Sequence, residues 1–201
     1  MKKLIYALIV IVLVISLFGC KAQVEQPDSI YFPSKSDVAG TMEASMKGYK
    51  DTKELYNDSD HVIIGIVTES DKSANKSENV PTAIAKVKVE KVLKGTYAAG
   101  DEVNVHETGE RTNKGDIAID GVPLLKKDMK VLLFLNEGTD YYIGELSFGI
   151  RGVNLGKFFY DAEGMIHSSL DFTDEVVIKL EDFTEPMTED QFVYLISDAV
   201  S

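Results

Sequence analysis

The sequence predicts a mainly β chain with flanking helices: a small closed antiparallel barrel preceded by one helix and followed by another. Residues 82–93 (TAIAKVKVEKVL) set Ile84, Lys86, Lys88 and Glu90 against Ala85, Val87, Val89 and Lys91 for most of their length, the period of two of a half-buried strand. Residues 130–135 (KVLLFL) are an almost unbroken apolar run, which marks a strand buried on both faces. Strands joined by hairpins and uneven polar loops, with no internal repeat, are most economically closed into a barrel, which leaves no sheet edge to protect.

Residues 1–19 have the order of a secretory signal peptide: basic Lys2 and Lys3, an apolar run over 4–18 broken by Ser16, and Gly19 before Cys20. Its about 15 apolar residues fall short of the roughly 20 that a membrane-spanning helix needs. Leu17-Phe18-Gly19-Cys20 resembles the bacterial lipobox, in which the thiol takes a diacylglyceryl group before the peptidase cuts between Gly19 and Cys20. Phe18 departs from that pattern, being bulkier than the small residue usual there. The competing readings are an uncleaved membrane helix, a plain secretory signal with a chance cysteine, and a buried core cysteine. The chain's only cysteine stands where the apolar run ends, which favours lipidation. Two acyl chains anchor stably, so the expected partner of Cys20 is the membrane, at its extracytoplasmic face.

Residues 20–35, with Gln23, Gln26, Pro27 and Pro33, lack an apolar period and read as a flexible tether; the domain then spans 36–201, its barrel core about 60–168. Over 36–56, Val38, Met42, Met46, Tyr49 and Tyr56 recur mostly at helical spacing, which predicts one interrupted helix or two short ones with 52–57 as the last turns. Residues 61–68 (HVIIGIVT) predict a strand, with Gly65 marking a bulge or sharp coil. Residues 69–81 read as a polar loop, and Gly95 and Gly100 bound a turn before a strand at 102–107. The polar stretch 108–121 reads as a long exposed loop. Residues 136–140 (NEGTD) have hairpin-turn chemistry, with 141–146 as the return strand and a further hairpin at 157–160 and 165–168. Thr188-Glu189-Asp190-Gln191 fits a capping box that opens the C-terminal helix, with Phe192, Leu195 and Ile196 on its apolar stripe.

With residues 1–19 removed, 19 basic and 33 acidic residues remain and the formal charge moves from −12 to −14. That surface repels nucleic acid and anionic headgroups, so no nucleic-acid partner is expected. Acylation of Cys20 leaves no thiol for a disulfide, a cysteine zinc site or a cysteine nucleophile, and the domain is expected to be a monomer held by packing alone.

Several segments in order resemble a widespread group of bacterial secreted proteins and lipoproteins whose domain is similar to the netrin and tissue-metalloproteinase-inhibitor type of OB-fold barrel. They are Glu54-Leu55 leading to 59–67 (SDHVIIGIV), 87–95 (VKVEKVLKG), 100–105 (GDEVNV), and 123–128 (PLLKKD) before 131–135 (VLLFL). The resemblance implies an OB-like barrel over about 50–155 and little about activity. Animal inhibitors of this fold chelate the protease zinc through a free N-terminal cysteine; a lipid-bearing Cys20 beyond a tether does not carry that mechanism over.

Motifs for chemistry are sparse. His61, His106 and His167 stand singly, without zinc-motif spacing, and no serine sits in a Gly-x-Ser-x-Gly elbow. Arg151, one of two arginines, lies among Gly149, Gly152 and Gly156; it reads either as a ligand or anion contact or as half of a structural ion pair, and the glycines as turns. The acidic clusters at Asp58 and Asp60, at Asp171, Asp174 and Glu175, and from Glu181 to Asp190 lack calcium-loop spacing. Tyr141, Tyr142, Phe148, Phe158, Phe159 and Tyr160 read as core and hairpin pairs. No catalytic residue, metal ligand or cofactor site is assigned. The expectation is a membrane-tethered, non-enzymatic binding module for an envelope protein or glycan; an envelope enzyme or inhibitor built from distant loops is the alternative, separable by a cleft of converging titratable groups.

Overall fold

The computed structural model describes residues 29–44, 47–70, 80–139, 144–173 and 179–197. The signal peptide, Gly19, Cys20, Tyr141, Tyr142, Asp174 and Glu175 lie outside the described residues. The chain is mainly β, with two helices. Among the described residues nine strands run β1 (Val38–Met42), β2 (His61–Ser70), β3 (Thr82–Lys94), β4 (Glu102–Thr112), β5 (Gly115–Ile119), β6 (Lys130–Leu135), β7 (Ser147–Gly149), β8 (Lys157–Tyr160) and β9 (Ile166–Ser168). Helix α1 (Thr52–Asp58) precedes β2, and α2 (Glu189–Ser197) closes the described chain.

The strands hydrogen-bond in the order β1-β5-β4-β3-β2-β6-β8-β9, with β7 parallel to β4 off that path. The sheet is open, a strongly curled half-barrel, which corrects the expected closed barrel. Closure would need β7 to pair along both β4 and β6. At three residues it pairs along β4, and the chain after it meets β6 through the single antiparallel bridge Leu135↔Ile150. The sheet instead runs on past β4 to β1 and past β6 to β9.

The curl sorts side chains into two cores. Ile63, Val87, Val105, Val131, Leu133 and Phe148 are buried in one; Val62, Ile64, Leu132, Phe134 and Phe158 face the other, with Leu55 of α1 and Phe192 and Ile196 of α2. Alternate residues of β2 and β6 therefore serve both cores, which is why 130–135 reads as continuously apolar. Gly65 sits at one of three register shifts between β2 and β3, where a Cβ would run into the Lys88 carbonyl oxygen and Val87. The capping box at the start of α2 is formed: Thr188 Oγ1 accepts from Gln191 N at 3.3 Å and Gln191 Oε1 accepts from Thr188 N at 2.8 Å.

Three further expectations need correction. Residues 36–56 are not the expected interrupted helix or pair of short helices: among the described residues Lys35–Asp37 is a 3-10 turn, Val38–Met42 is strand β1 parallel to β5, and α1 alone is α-helical. The spacing of Val38 and Met42 serves a helix and a strand equally, and β5 supplies the partner that decides for the strand. Residues 108–121 are not a loop, because β4 runs to Thr112 and turns directly into β5. Of the expected return strand 141–146, residues 141–143 lie outside the described residues and 144–146 are not strand; the next described strand after β6 is β7, which lies beside β4.

Candidate functional site

Beyond β7 the chain turns back over the end of β6 and encloses a cavity of about 150 Å³. His106, Glu107 and Thr108 enter it from β4, Asn136 from the end of β6, Gly149 from β7, Val153 and Asn154 from the turn, and Lys157 from the start of β8. Ile119, Val122, Leu124 and Ile150 form its apolar walls.

Glu107 is inward because of its phase: along β4, Val103, Val105 and Glu107 are buried while their neighbours are partly exposed. A carboxylate left alone there would be costly. Lys157 Nζ lies 2.6 Å from Glu107 Oε1 and donates also to the Pro123 carbonyl at 2.9 Å, while Leu125 N donates to Glu107 Oε2 at 2.8 Å. With side chains 2% and 5% exposed, this is a desolvated pair, and each charge carries an additional hydrogen bond. Glu107 and Lys157 belong to strands that are not neighbours in the sheet, so the pair braces the curl from within.

His106 Nδ1 lies 3.0 Å from Ser147 Oγ. Ser147 spends its one proton on the Thr139 carbonyl, at 3.1 Å, so the network makes Nδ1 the donor to the hydroxyl. Burial pushes the imidazole below its ordinary value, against the charge of Glu107, and keeps it neutral near pH 7. Ser147 is consequently not an activated nucleophile: its proton points away from the base. Nε2 faces Gly149, where a Cβ would approach it to 3.0 Å.

The wall from β7 to β8 carries strain. Val153, a β-branched residue, has φ 55°, a conformation costing about 1–3 kcal/mol unless its surroundings enforce it. Gly152 at φ 62° and the bonds Val153 N to Ile150 O (3.1 Å) and Lys157 N to Asn154 O (3.2 Å) enforce it. Asn154, 3% exposed, donates Nδ2 to the Ile119 carbonyl at 3.1 Å, and the buried Asn136 Oδ1 has no hydrogen-bond partner among the described residues. The cavity thus combines a neutralised ion pair, a neutral imidazole and amide groups.

Arg151 lies next to this wall but outside the cavity. Its Nη2 is 3.3 Å from Asp60 and its Nε 3.7 Å from Asp58. Hydrogen bonds from Lys47 and Tyr49, with the Arg151 charge, push the Asp58 carboxyl down to about 2. Of the three glycines around Arg151, only Gly152 needs a positive φ; at Gly149 and Gly156 a side chain would meet packed neighbours. The histidines do not converge: His61 stacks edge-on with Tyr97 and Phe148, and His167 pairs with Asp161 at 2.7 Å. Among the described residues no three His, Cys, Asp or Glu side chains gather as a metal would require. The acidic positions are dispersed as well, Asp182 holding the backbone and hydroxyl of Thr52, and Glu189 pairing with Lys91 at 2.7 Å.

Sequence reading missed Glu107, Lys157, Asn136 and Asn154 as a group. The available signal was Glu107 in phase with Val103 and Val105. Compared with known protein families and with curated proteins, the sequence matches none. No helix among the described residues is long and apolar enough to cross a membrane.

Proposed function

We propose that the chain is a lipid-anchored, extracytoplasmic envelope lipoprotein whose half-barrel is a non-enzymatic binding module, with the cavity between β4 and β8 as its recognition subsite. The observation that carries this is the Glu107–Lys157 pair: the buried acid and base that converge on the cavity are held by each other, and Ser147 beside His106 is not an activated nucleophile. At about 150 Å³ the cavity is smaller than the roughly 300–1,000 Å³ of a typical small-molecule site. It suits one side chain or terminal group of a larger envelope protein or glycan. An enzyme or inhibitor remains the second reading, favoured by the presence of His106 beside the pair.

The OB-like, netrin-type relationship belongs to the same proposal. Its support is connectivity: β2, β3 and β4 form a meander, β6 returns beside β2, and β7 lies parallel to β4. The anchor rests on Lys2, Lys3, the apolar run and Leu17-Phe18-Gly19-Cys20.

Two experiments test the reading. Cells expressing the full chain incorporate radiolabelled fatty acid into it, and Cys20→Ala abolishes this; label persisting in the variant overturns the anchor. Tagged full-length protein pulled from membranes retains a ligand that Thr108→Phe, filling the cavity rim, loses while melting at the wild-type temperature. Equal retention by both overturns the subsite.

A further inference from the structure

Helix α2 is held to the domain by one side and leaves another open. Phe192 and Ile196 are buried in the core, whereas Tyr194 is 71% exposed, more than any other large apolar or aromatic side chain among the described residues. Its ring and hydroxyl have no partner among the described residues, so packing of the helix does not account for it. The segment ahead of the helix, 182–187, forms the other wall of a groove of about 510 Å³, within the roughly 300–1,000 Å³ of a ligand site. Pro186, Met187 and Leu195 supply its apolar surface, beside the Tyr194 ring.

The charged residues that line this groove are all acidic. Asp182 is committed to Thr52, but Glu185 and Asp190 are exposed carboxylates with no hydrogen bond or ion pair among the described residues. No Lys or Arg lines the groove. The flanking stretches 174–178 (DEVVI) and 198–201 (DAVS), outside the described residues, carry no basic residue either. Asp190 and Tyr194 stand four positions apart on α2, so a carboxylate and an aromatic ring share one helix face, with Glu185 on the facing wall.

We propose that this groove docks a segment of another protein that presents an arginine beside an apolar side chain. The guanidinium lies against the Tyr194 ring and pairs with Asp190 and Glu185, and the apolar neighbour covers Met187 and Leu195. Arginine suits the site better than lysine, because a planar, weakly hydrated cation stacks on a ring and pairs with a carboxylate at once. A second copy is disfavoured, since each chain carries a net charge of −12 and would bring acid to acid. A small free cation leaves the apolar part of the groove uncovered. The groove shares no residue with the cavity between β4 and β8, and neither proposal stands on the other.

The test is a titration of the full chain in detergent micelles, followed by NMR of its backbone amides. The probe is an N-acetylated, amidated peptide pool of pattern Ala-Z-Arg-Z-Ala, with Z drawn from Leu, Met and Phe. The amides of Gln191, Tyr194 and Leu195 shift saturably as the pool is added. A pool with lysine for arginine binds more weakly, and one with citrulline, of the same shape without the charge, gives no saturable shift. Tyr194→Ala and Glu185→Gln, both at exposed positions, melt at the wild-type temperature and each weaken binding by about two- to fivefold. Glu102→Gln, an exposed acid outside the groove, leaves binding unchanged. Shifts that grow with chain concentration alone place a second copy in the groove, and equal binding of N-acetylarginine amide makes it a site for a small cation. Equal weakening by Glu102→Gln reduces the attraction to net charge, and no saturable response means that the groove takes no arginine; each of these outcomes overturns the proposal.

Discussion

Glu107 and Lys157 are residue types that are almost never fully buried unless paired, and neither can leave its position without exposing the other. Lys157→Met alone strands a carboxylate between β4 and β8 and should destabilise the fold by about 3–5 kcal/mol. Adding Glu107→Leu should recover most of that loss, because the apolar pair no longer has to be desolvated. Urea midpoints for both singles and the double give the coupling; additive losses would mean that the two charges do not act as one brace. His106 supplies a pH prediction. Its folded pKa is lowered by burial, so between that value and the ordinary 6.5 the unfolded chain binds more protons than the folded one. Stability is full above about pH 6.5 and falls as pH drops through and below it. The thermal midpoint should decline from pH 7.5 to 5.5 in the wild type and decline less in His106→Gln; parallel curves would remove His106 from the account. Arg151 shows the limit of reading single residues. Its environment of glycines was visible in sequence, but its carboxylate neighbours Asp58 and Asp60 lie 93 and 91 positions away, a proximity that only the fold creates.

At the scale of elements, β6 is the test of the double-core reading. Leu133, fully buried, pairs across β2 with Ile63 and contributes to the inner cluster. Leu133→Ala should cost about 2–5 kcal/mol through lost transfer energy and an incompletely collapsed cavity. Lys88→Ala, on the half-exposed face of β3, should stay within about 0.5 kcal/mol. Equal urea midpoints would mean that the strand register is wrong. Elements with a single dominant pattern were legible: β2, β3, β6, the β8–β9 hairpin and the capped α2 all follow from period, β-branching or capping chemistry. Those that failed had weak or ambiguous local signals. β1 is set by a strand more than 70 residues away, its Val38 opposite Asp116. The β4–β5 hairpin hid because Glu110, Arg111, Thr112 and Lys114 make a polar stretch, and of its buried positions Gly109, Asp116, Ala118 and Ile119 only the last is a large apolar residue. The cavity inherits this illegibility, since it is assembled where β4, β7 and β8 meet.

At the scale of the whole molecule, the chain just ahead of β1 is part of the domain. Tyr31 N donates to the Asp128 carbonyl at 2.9 Å and its hydroxyl to Asp37 at 2.6 Å, and burial with that bond pushes the phenol up to about 12. Pro33 is buried, and Phe32 meets the rings of His167 and Phe172 at 4.9 and 5.3 Å. These contacts join the start of the sheet to its far end, across the opening that a closed barrel would not have. A domain cut at residue 36 therefore loses a strap as well as a spacer. Burying part of two aromatic side chains contributes about 1–3 kcal/mol, which for a domain of this size is several degrees of thermal midpoint. A chain beginning at Ser29 should melt several degrees above one beginning at Ser36, and Phe32→Ala in the longer chain should remove most of the difference between them. If both chains melt together, residues 31–33 rest on the domain without stabilising it, and the strap has no part in holding the two ends of the sheet.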